Sequence, residues 1–264
     1  MPTRVIAIIQ GRMSSSRLPG KILADIAGQP MLSRVYIRTS RAATVTETIF
    51  ATTTDSSDDP VAEYCDFAGI PFTRGDLHDV LDRFYQTAKD AQANVVVRIT
   101  ADCPVIDPVL IDDCVNTLLE GSFDFVCNRL PPPFTRTYPI GLDTEVCTFA
   151  ALEAAWENAK EIFHREHVLP YLYEGVELSA VSRQLSEGTS PRGYKVAQLH
   201  HTTDFGDYRW TVDTPEDLEF IRQLYARFNE RDDFTWKDVL QVVQDDPKLA
   251  AINSKVRHKT LYDQ

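Results

Sequence analysis

The sequence predicts an α/β fold with a mainly parallel central sheet flanked by helices and a small antiparallel arm. Three observations carry this. Short apolar runs at Val5–Ile9, Thr48–Thr52 and Val95–Ile99 have the composition of strands buried on both faces. Stretches with helical spacing lie between them, so strands and helices alternate through the first 115 residues. Further strand-like runs, at Phe123–Cys127, Gly141–Phe149 and twice between residues 175 and 200, follow as antiparallel additions.

The first run empties into Gln10–Lys21, a loop with two glycines, three serines, two arginines and a lysine. Glycine lets backbone N–H groups approach a ligand, and serine adds hydroxyl donors. Gln10, Gly11, Arg12, Ser14, Ser16, Arg17 and Lys21 therefore form a candidate polyphosphate cradle. The loop matches neither common phosphate fingerprint. Gly11 and Gly20 are nine apart, Ile22 follows Lys21, and Gly-x-Gly-x-x-Gly is absent. A solvated surface loop would be polar too. Two features favour a ligand. The loop follows the first strand, where open α/β sheets bind theirs. Residues 1–50 also hold seven Lys/Arg against two Asp/Glu, in a chain of net charge −12.

A helix is expected over Met31–Ala43, with Leu32, Val35, Tyr36 and Thr39 on one face and Arg34, Arg38 and Arg41 on a solvated one. The second strand ends in Thr52-Thr53-Thr54-Asp55, where Thr53 is a candidate nucleotide contact or a turn former. A helix from Asp58 to Ala68, a short strand over Ile70–Phe72 and a helix from about His78 to Ala91 follow. Arg74 sits just past that short strand, as a phosphate ligand would. Val95–Ile99 ends in Thr100-Ala-Asp102-Cys-Pro104, which puts Thr100 and Asp102 at a strand's C-terminal edge. Asp102 suits magnesium, which takes hard oxygens and one or two carboxylates beside phosphates. It equally suits the turn before Pro104. Asp107-Pro108 reads as a cap leading a helix through Leu119.

Pro131-Pro132-Pro133 is too stiff for regular structure and marks a lid or edge loop. Asp143 and Glu145 alternate to one face of a strand through Phe149, two acids that need a sugar, a metal-bound water or an arginine opposite. Helices are expected over Phe149–Lys160 and Phe163–Tyr173. His164 and His167 share a face of the latter, but a zinc site would need a third ligand nearby. Arg209–Val212 reads as the last strand. Thr214, Pro215 and Asp217 then have capping-box spacing. That leaves Asp213 unneeded for capping and marks it as a second metal ligand. Asp245-Asp246-Pro247 signals a break before a peripheral tail.

Composition bounds the rest. Hydrophobic residues make up 43% and charged residues 25%, ordinary for a globular chain. No apolar run is long enough to span a membrane, and no signal peptide is visible. Five cysteines, none in a Cys-x-x-Cys pair, argue against a disulfide framework and fit a reducing cytoplasm. The acidic balance argues against nucleic-acid binding but leaves room for a nucleotide in a locally basic pocket.

Taken in order, the Gln10–Lys21 loop, Arg74-Gly75, Thr100–Pro104, Gly141–Glu145, Arg165-Glu-His167 and Val212–Asp217 resemble the sugar cytidylyltransferases. These enzymes make CMP-3-deoxy-manno-octulosonate and CMP-sialic acids; the spore coat polysaccharide biosynthesis protein F subgroup is the best match. The likeness covers roughly residues 4 to 225. It implies a GT-A-like nucleotide-diphospho-sugar transferase fold: a nucleotidyltransferase domain over residues 1–244, with an arm for substrate contact and dimerisation within about 128–200, and a C-terminal extension over 245–264. It implies transfer of CMP from CTP to a 2-keto acidic sugar or a related sugar, releasing pyrophosphate, for surface polysaccharide biosynthesis, with Mg²⁺ as cofactor, in a cytoplasmic homodimer. Arg12, Lys21, Asp102 and Asp213 would be catalytic, the two aspartates as metal ligands, while Asp143, Glu145 and His167 would face the sugar. Two departures stand out. Gln10-Gly11 replaces the Pro-Ala of many relatives, which bears on base selection, and Asp102 precedes Cys-Pro rather than an acid. A glycosyltransferase of the same architecture is an alternative, but its usual Asp-x-Asp is missing. A non-catalytic nucleotide-binding homologue is another, and would not need both aspartates.

Overall fold

The computed structural model describes residues 2–257; residues 258–264 of the expected C-terminal extension lie outside them. The first half runs β1 (Val5–Gln10), β2 (Asp25–Ile26), β3 (Gln29–Pro30), α1 (Met31–Thr39), β4 (Glu47–Thr53), α2 (Asp59–Ala68), β5 (Phe72–Gly75), α3 (Val80–Asp90), β6 (Val95–Thr100) and α4 (Pro108–Gly121). The second half runs β7 (Phe125–Cys127), β8 (Glu145–Thr148), α5 (Phe149–Asn158), α6 (Ile162–His167), α7 (Pro170–Tyr173), β9 (Ser179–Ala180), β10 (Leu185–Thr189), β11 (Lys195–Leu199), α8 (Pro215–Arg227), α9 (Trp236–Asp245) and α10 (Pro247–Ala251).

The large sheet has the strand order β5-β4-β1-β6-β8-β7-β11-β10-β9, and β2 pairs with β3 separately. Within the large sheet β8 and β10 run against the other strands. The expected mainly parallel sheet with antiparallel additions is therefore present. Alternation along β1 explains its central place. Val5, Ala7 and Ile9 face one apolar layer while Ile6 and Ile8 face the other, as a period of two requires. Helices α1, α2, α4, α8 and α9 cover the first face; α3, α5 and α7 cover the second. No helix of the described residues is long and apolar enough to cross a membrane.

Several local expectations need correction. The face of α1 carrying Arg34 and Arg38 is not solvated: the two side chains are 1% and 0% exposed. Arg34 donates to Ile26 O, Ala27 O and Glu230 O and pairs with Asp232 at 2.6 Å. Arg38 donates to Ile106 O, Asp232 O and Phe234 O. Their guanidinium planes also lie over Tyr225 and Phe234. Donor-only, planar arginines can satisfy many backbone acceptors at once, which is why they survive burial. Helix α1 also stops at Thr39, short of Ala43. The strand expected over Ile70–Phe72 sits at Phe72–Gly75.

The helix expected over 163–173 is two short ones, with Val168 at φ 73° between them. Pro170 has no N–H to continue the ladder and opens α7 instead. Arg209–Val212 is not a strand of the sheet: Arg209 makes one isolated bridge, to Ile140. The segment crosses Gly141 so closely that a Cβ there would lie 2.6 Å from Thr211 N. Gly141 also has φ 104°, so glycine is required on both counts. The tail past Asp245 is not wholly peripheral either, because Leu249 and Asn253 are buried. The capping box of Thr214 and Asp217 forms as read.

Candidate active site

The chain leaves β1 toward β4 and β5, then returns to place β6 on β1's other side. That reversal opens a crevice at the C-terminal ends of β1 and β6, the ligand position of open α/β sheets. The Gln10–Lys21 loop curls over this crevice. Met13 O accepts from both Ser15 N and Gly20 N at 2.9 Å. Met13 N donates to Asp58 at 2.7 Å. The loop encloses a cavity of about 320 Å³ walled by Gln10, Gly11, Arg12, Ser14–Ser16 and Lys21 on one side and Thr100–Asp102 on the other. Gly11 admits no side chain: a Cβ would lie 2.7 Å from both Ala101 Cβ and Phe50 Cζ.

Lys21 closes the cavity's rim. Its Nζ donates to Asp102 Oδ2 at 2.8 Å, Asp213 Oδ1 at 3.0 Å and Val212 O at 2.7 Å. The two aspartates meet because the 209–213 segment is stitched to the end of β6. Val212 N donates to Asp102 O at 2.9 Å, and Thr211 Oγ1 donates to the same oxygen at 3.0 Å. Burial alone would depress the lysine's pKa, but the facing carboxylates of Asp102 and Asp213 raise it. Burial pushes the Asp213 carboxyl up, yet Lys21, Arg209 and Arg17 outweigh it and bring it down to about 2.

Asp213 is more heavily engaged than its local grammar suggested. Its Oδ2 faces Arg17 at 2.9 Å and Arg209 Nη2 at 2.7 Å. Arg209 also grips the fully buried Asp217 through Nε at 3.0 Å and Nη2 at 2.9 Å. Asn253 Nδ2 donates to Asp217 Oδ1 at 2.9 Å and to Arg209 O at 3.0 Å. Among the described residues, no group of three or more His, Cys, Asp or Glu converges on one point. Asp102 and Asp213 are two hard oxygen donors that could share a divalent cation with water and phosphate, in the place the Lys21 ammonium now takes.

A second cavity of about 330 Å³ shares Gln10, Gly11 and Arg12 with the first. Its far wall includes His78, Arg83, Glu166 and His167. Burial lowers the His167 pKa and so favours the neutral ring, with one nitrogen a donor and the other an acceptor.

The structure thus brings Gln10, Gly11, Arg12, Ser14, Ser16, Lys21, Thr100 and Asp102 onto one cavity, with Asp213 at its rim and His167 next door. Other expected residues lie elsewhere. Thr53 is fully buried and hydrogen-bonds Asp58, bracing the loop from behind. Arg74 pairs with Asp59 at 2.6 Å and donates to Thr53 O. Asp143 precedes β8 and pairs with Arg136; Glu145 pairs with Arg98 at 2.5 Å. Each acid has the arginine that the sequence left as one option. Arg98 also donates to Gln10 at 2.9 Å, a link signalled only by a lone charge inside an apolar strand. Arg209 had an equally quiet signal, four residues before Asp213.

A family model described as "Cytidylyltransferase" matches residues 6–240. The chain is 28% identical to the spore coat polysaccharide biosynthesis protein SpsF of Bacillus subtilis, over 93% of this chain and 96% of that protein. It is 30% identical to a 3-deoxy-manno-octulosonate cytidylyltransferase of Solibacter usitatus, over 85% and 96% respectively. A solved cytidylyltransferase structure from Leptospira borgpetersenii superposes with a TM-score of 0.83 at 28% identity, covering 97% of this chain and all of that one.

Proposed function

Because the chain belongs to the cytidylyltransferase family, we propose that it transfers CMP from CTP to a hydroxyl of a 2-keto acidic sugar and releases pyrophosphate. The observation that carries this reading is Lys21, held between Asp102 and Asp213 at the rim of a donor-lined cavity. Phosphoryl-group chemistry of this kind needs positioning and charge neutralisation more than a protein nucleophile. The backbone of Gly11, the hydroxyls of Ser14 and Ser16 and the side chain of Arg12 would hold the triphosphate. Lys21 and Arg17 would offset charge on the departing diphosphate. Asp102 and Asp213 would hold Mg²⁺, which supplies Lewis-acid neutralisation of phosphate oxygens when bound. His167 would hydrogen-bond the acceptor in the adjoining cavity. Asp143 and Glu145 would act on that acceptor's surroundings through Arg136 and Arg98. Thr53 and Arg74 join this reading as braces of the loop and the β4 end rather than as ligands.

The named relatives act on 3-deoxy-manno-octulosonate or serve spore coat polysaccharide synthesis, which supports a surface-polysaccharide sugar as acceptor. The reading also includes a homodimer and a cytoplasmic location, the latter supported by five free, buried cysteines. The deciding experiment measures pyrophosphate release from each of the four nucleoside triphosphates, with and without Mg²⁺, against a panel of 2-keto acidic sugars. Release confined to CTP plus one such sugar is expected. Consumption of a nucleotide-sugar, or CTP binding without turnover, would overturn it.

A further inference from the structure

Arg17 belongs to the loop but does not wall its cavity. Its guanidinium pairs with Asp213 at 2.9 Å, and the residue lines a different cavity of about 480 Å³. The opposite wall of that cavity comes from the end of the chain, where Lys255 and Arg257 stand with Ile252 and Val256. Neither Lys255 nor Arg257 has a carboxylate partner among the described residues. Glu216 is the acid of the wall. With Asp213 beside Arg17, three cations face two acids there, a local excess of positive charge in a chain of −12. The two cavities are one carboxylate apart: Lys21 meets Asp213 on Oδ1 and Arg17 meets it on Oδ2.

We propose that this cavity is an anion site for inorganic diphosphate, built from Arg17, Lys255 and Arg257. The proposal rests on the nucleotidyl-transfer reading only in naming the anion's source, the diphosphate released beside Lys21. Guanidinium and ammonium groups around a concave surface are suited to phosphate oxygens, with arginine able to bind two at once. Arg17 would then serve two partners in turn. With the cavity empty it holds Asp213; with diphosphate bound it shares that contact. Excess diphosphate bound there would compete with Asp213 for Arg17.

The test is calorimetric titration of inorganic pyrophosphate, without divalent cation, into protein saturated with CTP and lacking acceptor sugar. CTP then occupies the loop cavity, so heat reports the second site. One pyrophosphate per chain is expected, and K255A/R257A should weaken it about tenfold, the scale of two exposed charge-assisted contacts. K255E/R257E should abolish binding, while turnover without added product stays within about twofold of wild type. Both variants change exposed side chains, and melting curves report whether they fold. No binding to CTP-filled protein, or equal binding in both variants, overturns the proposal. Should CTP itself fail to bind, the transfer reading fails, yet the same titration of the free protein still decides the cavity.

Discussion

Lys21 and Asp213 lie 192 positions apart in the chain and 3.0 Å apart in space. Asp102 shares the same ammonium at 2.8 Å. Lys21→Met leaves two carboxylates facing each other with one fewer cation between them. Turnover should fall ~10²-fold or more, the scale of a preorganised electrostatic group. Steady-state pyrophosphate release measures it, and unchanged kcat would remove Lys21 from the chemistry. Asp213→Asn should lower turnover similarly and raise the Mg²⁺ concentration needed for half-maximal rate.

Acid titration should expose Asp213 independently of catalysis. Its folded-state pKa, about 2, lies below the ordinary 3.8. A depressed carboxyl contributes stability that is fully present above about pH 4 and is lost as pH falls toward 2. Wild-type melting temperature should therefore drop across that window more steeply than that of Asp213→Asn. Parallel curves would show that Lys21, Arg17 and Arg209 do not hold the charge.

Gly11→Ala should damage both fold and function. The added methyl would lie 2.7 Å from Ala101 Cβ and Phe50 Cζ, and neither belongs to a long flexible side chain. Overpacking of this type costs about 1–3 kcal/mol. The ring of Phe50 or the floor of the cavity must shift, so CTP affinity should fall along with the melting temperature. A variant with wild-type stability and affinity would contradict the packing described.

Arg34→Met tests the buried guanidinium layer beneath the site. Removing one member of a buried pair typically costs about 3–5 kcal/mol because the other is stranded. Here Asp232 and three carbonyls would lose their donor. Chemical denaturation should register that loss, whereas Arg41→Met on the exposed end of the same segment should change stability by less than about 0.5 kcal/mol.

What the sequence disclosed, and what it withheld, follows from the range of the forces involved. The strands β1 and β6 were legible because burial on both faces writes a continuous apolar run. The Thr214 cap was legible because its partners lie within three residues. Asp102 and Asp213 stood out as acids at the ends of apolar segments, and Lys21 as the last cation of a glycine-bracketed loop. The destinations of Arg34 and Arg38 were not legible. Spacing along a helix shows which residues share a face, but the carbonyls at 26, 106, 230 and 234 that welcome them come from distant segments. Arg74 was legible only in part. Its position after a strand is legible, but its 2.6 Å pairing with Asp59 across the turn is not. The segment 209–212 has strand composition, but its hydrogen bonds go to Ile140 and Asp102 rather than to a neighbouring ladder.

Asn253 fastens the segment after α10 to the backbone of Arg209 and to Asp217. Anyone shortening this protein after Asp246 would thus unlatch an arginine that steadies Asp213, even though no catalytic side chain had been deleted. Such trimming would also strip the buried Leu249 from the core, so lost activity there would not by itself mark a catalytic residue.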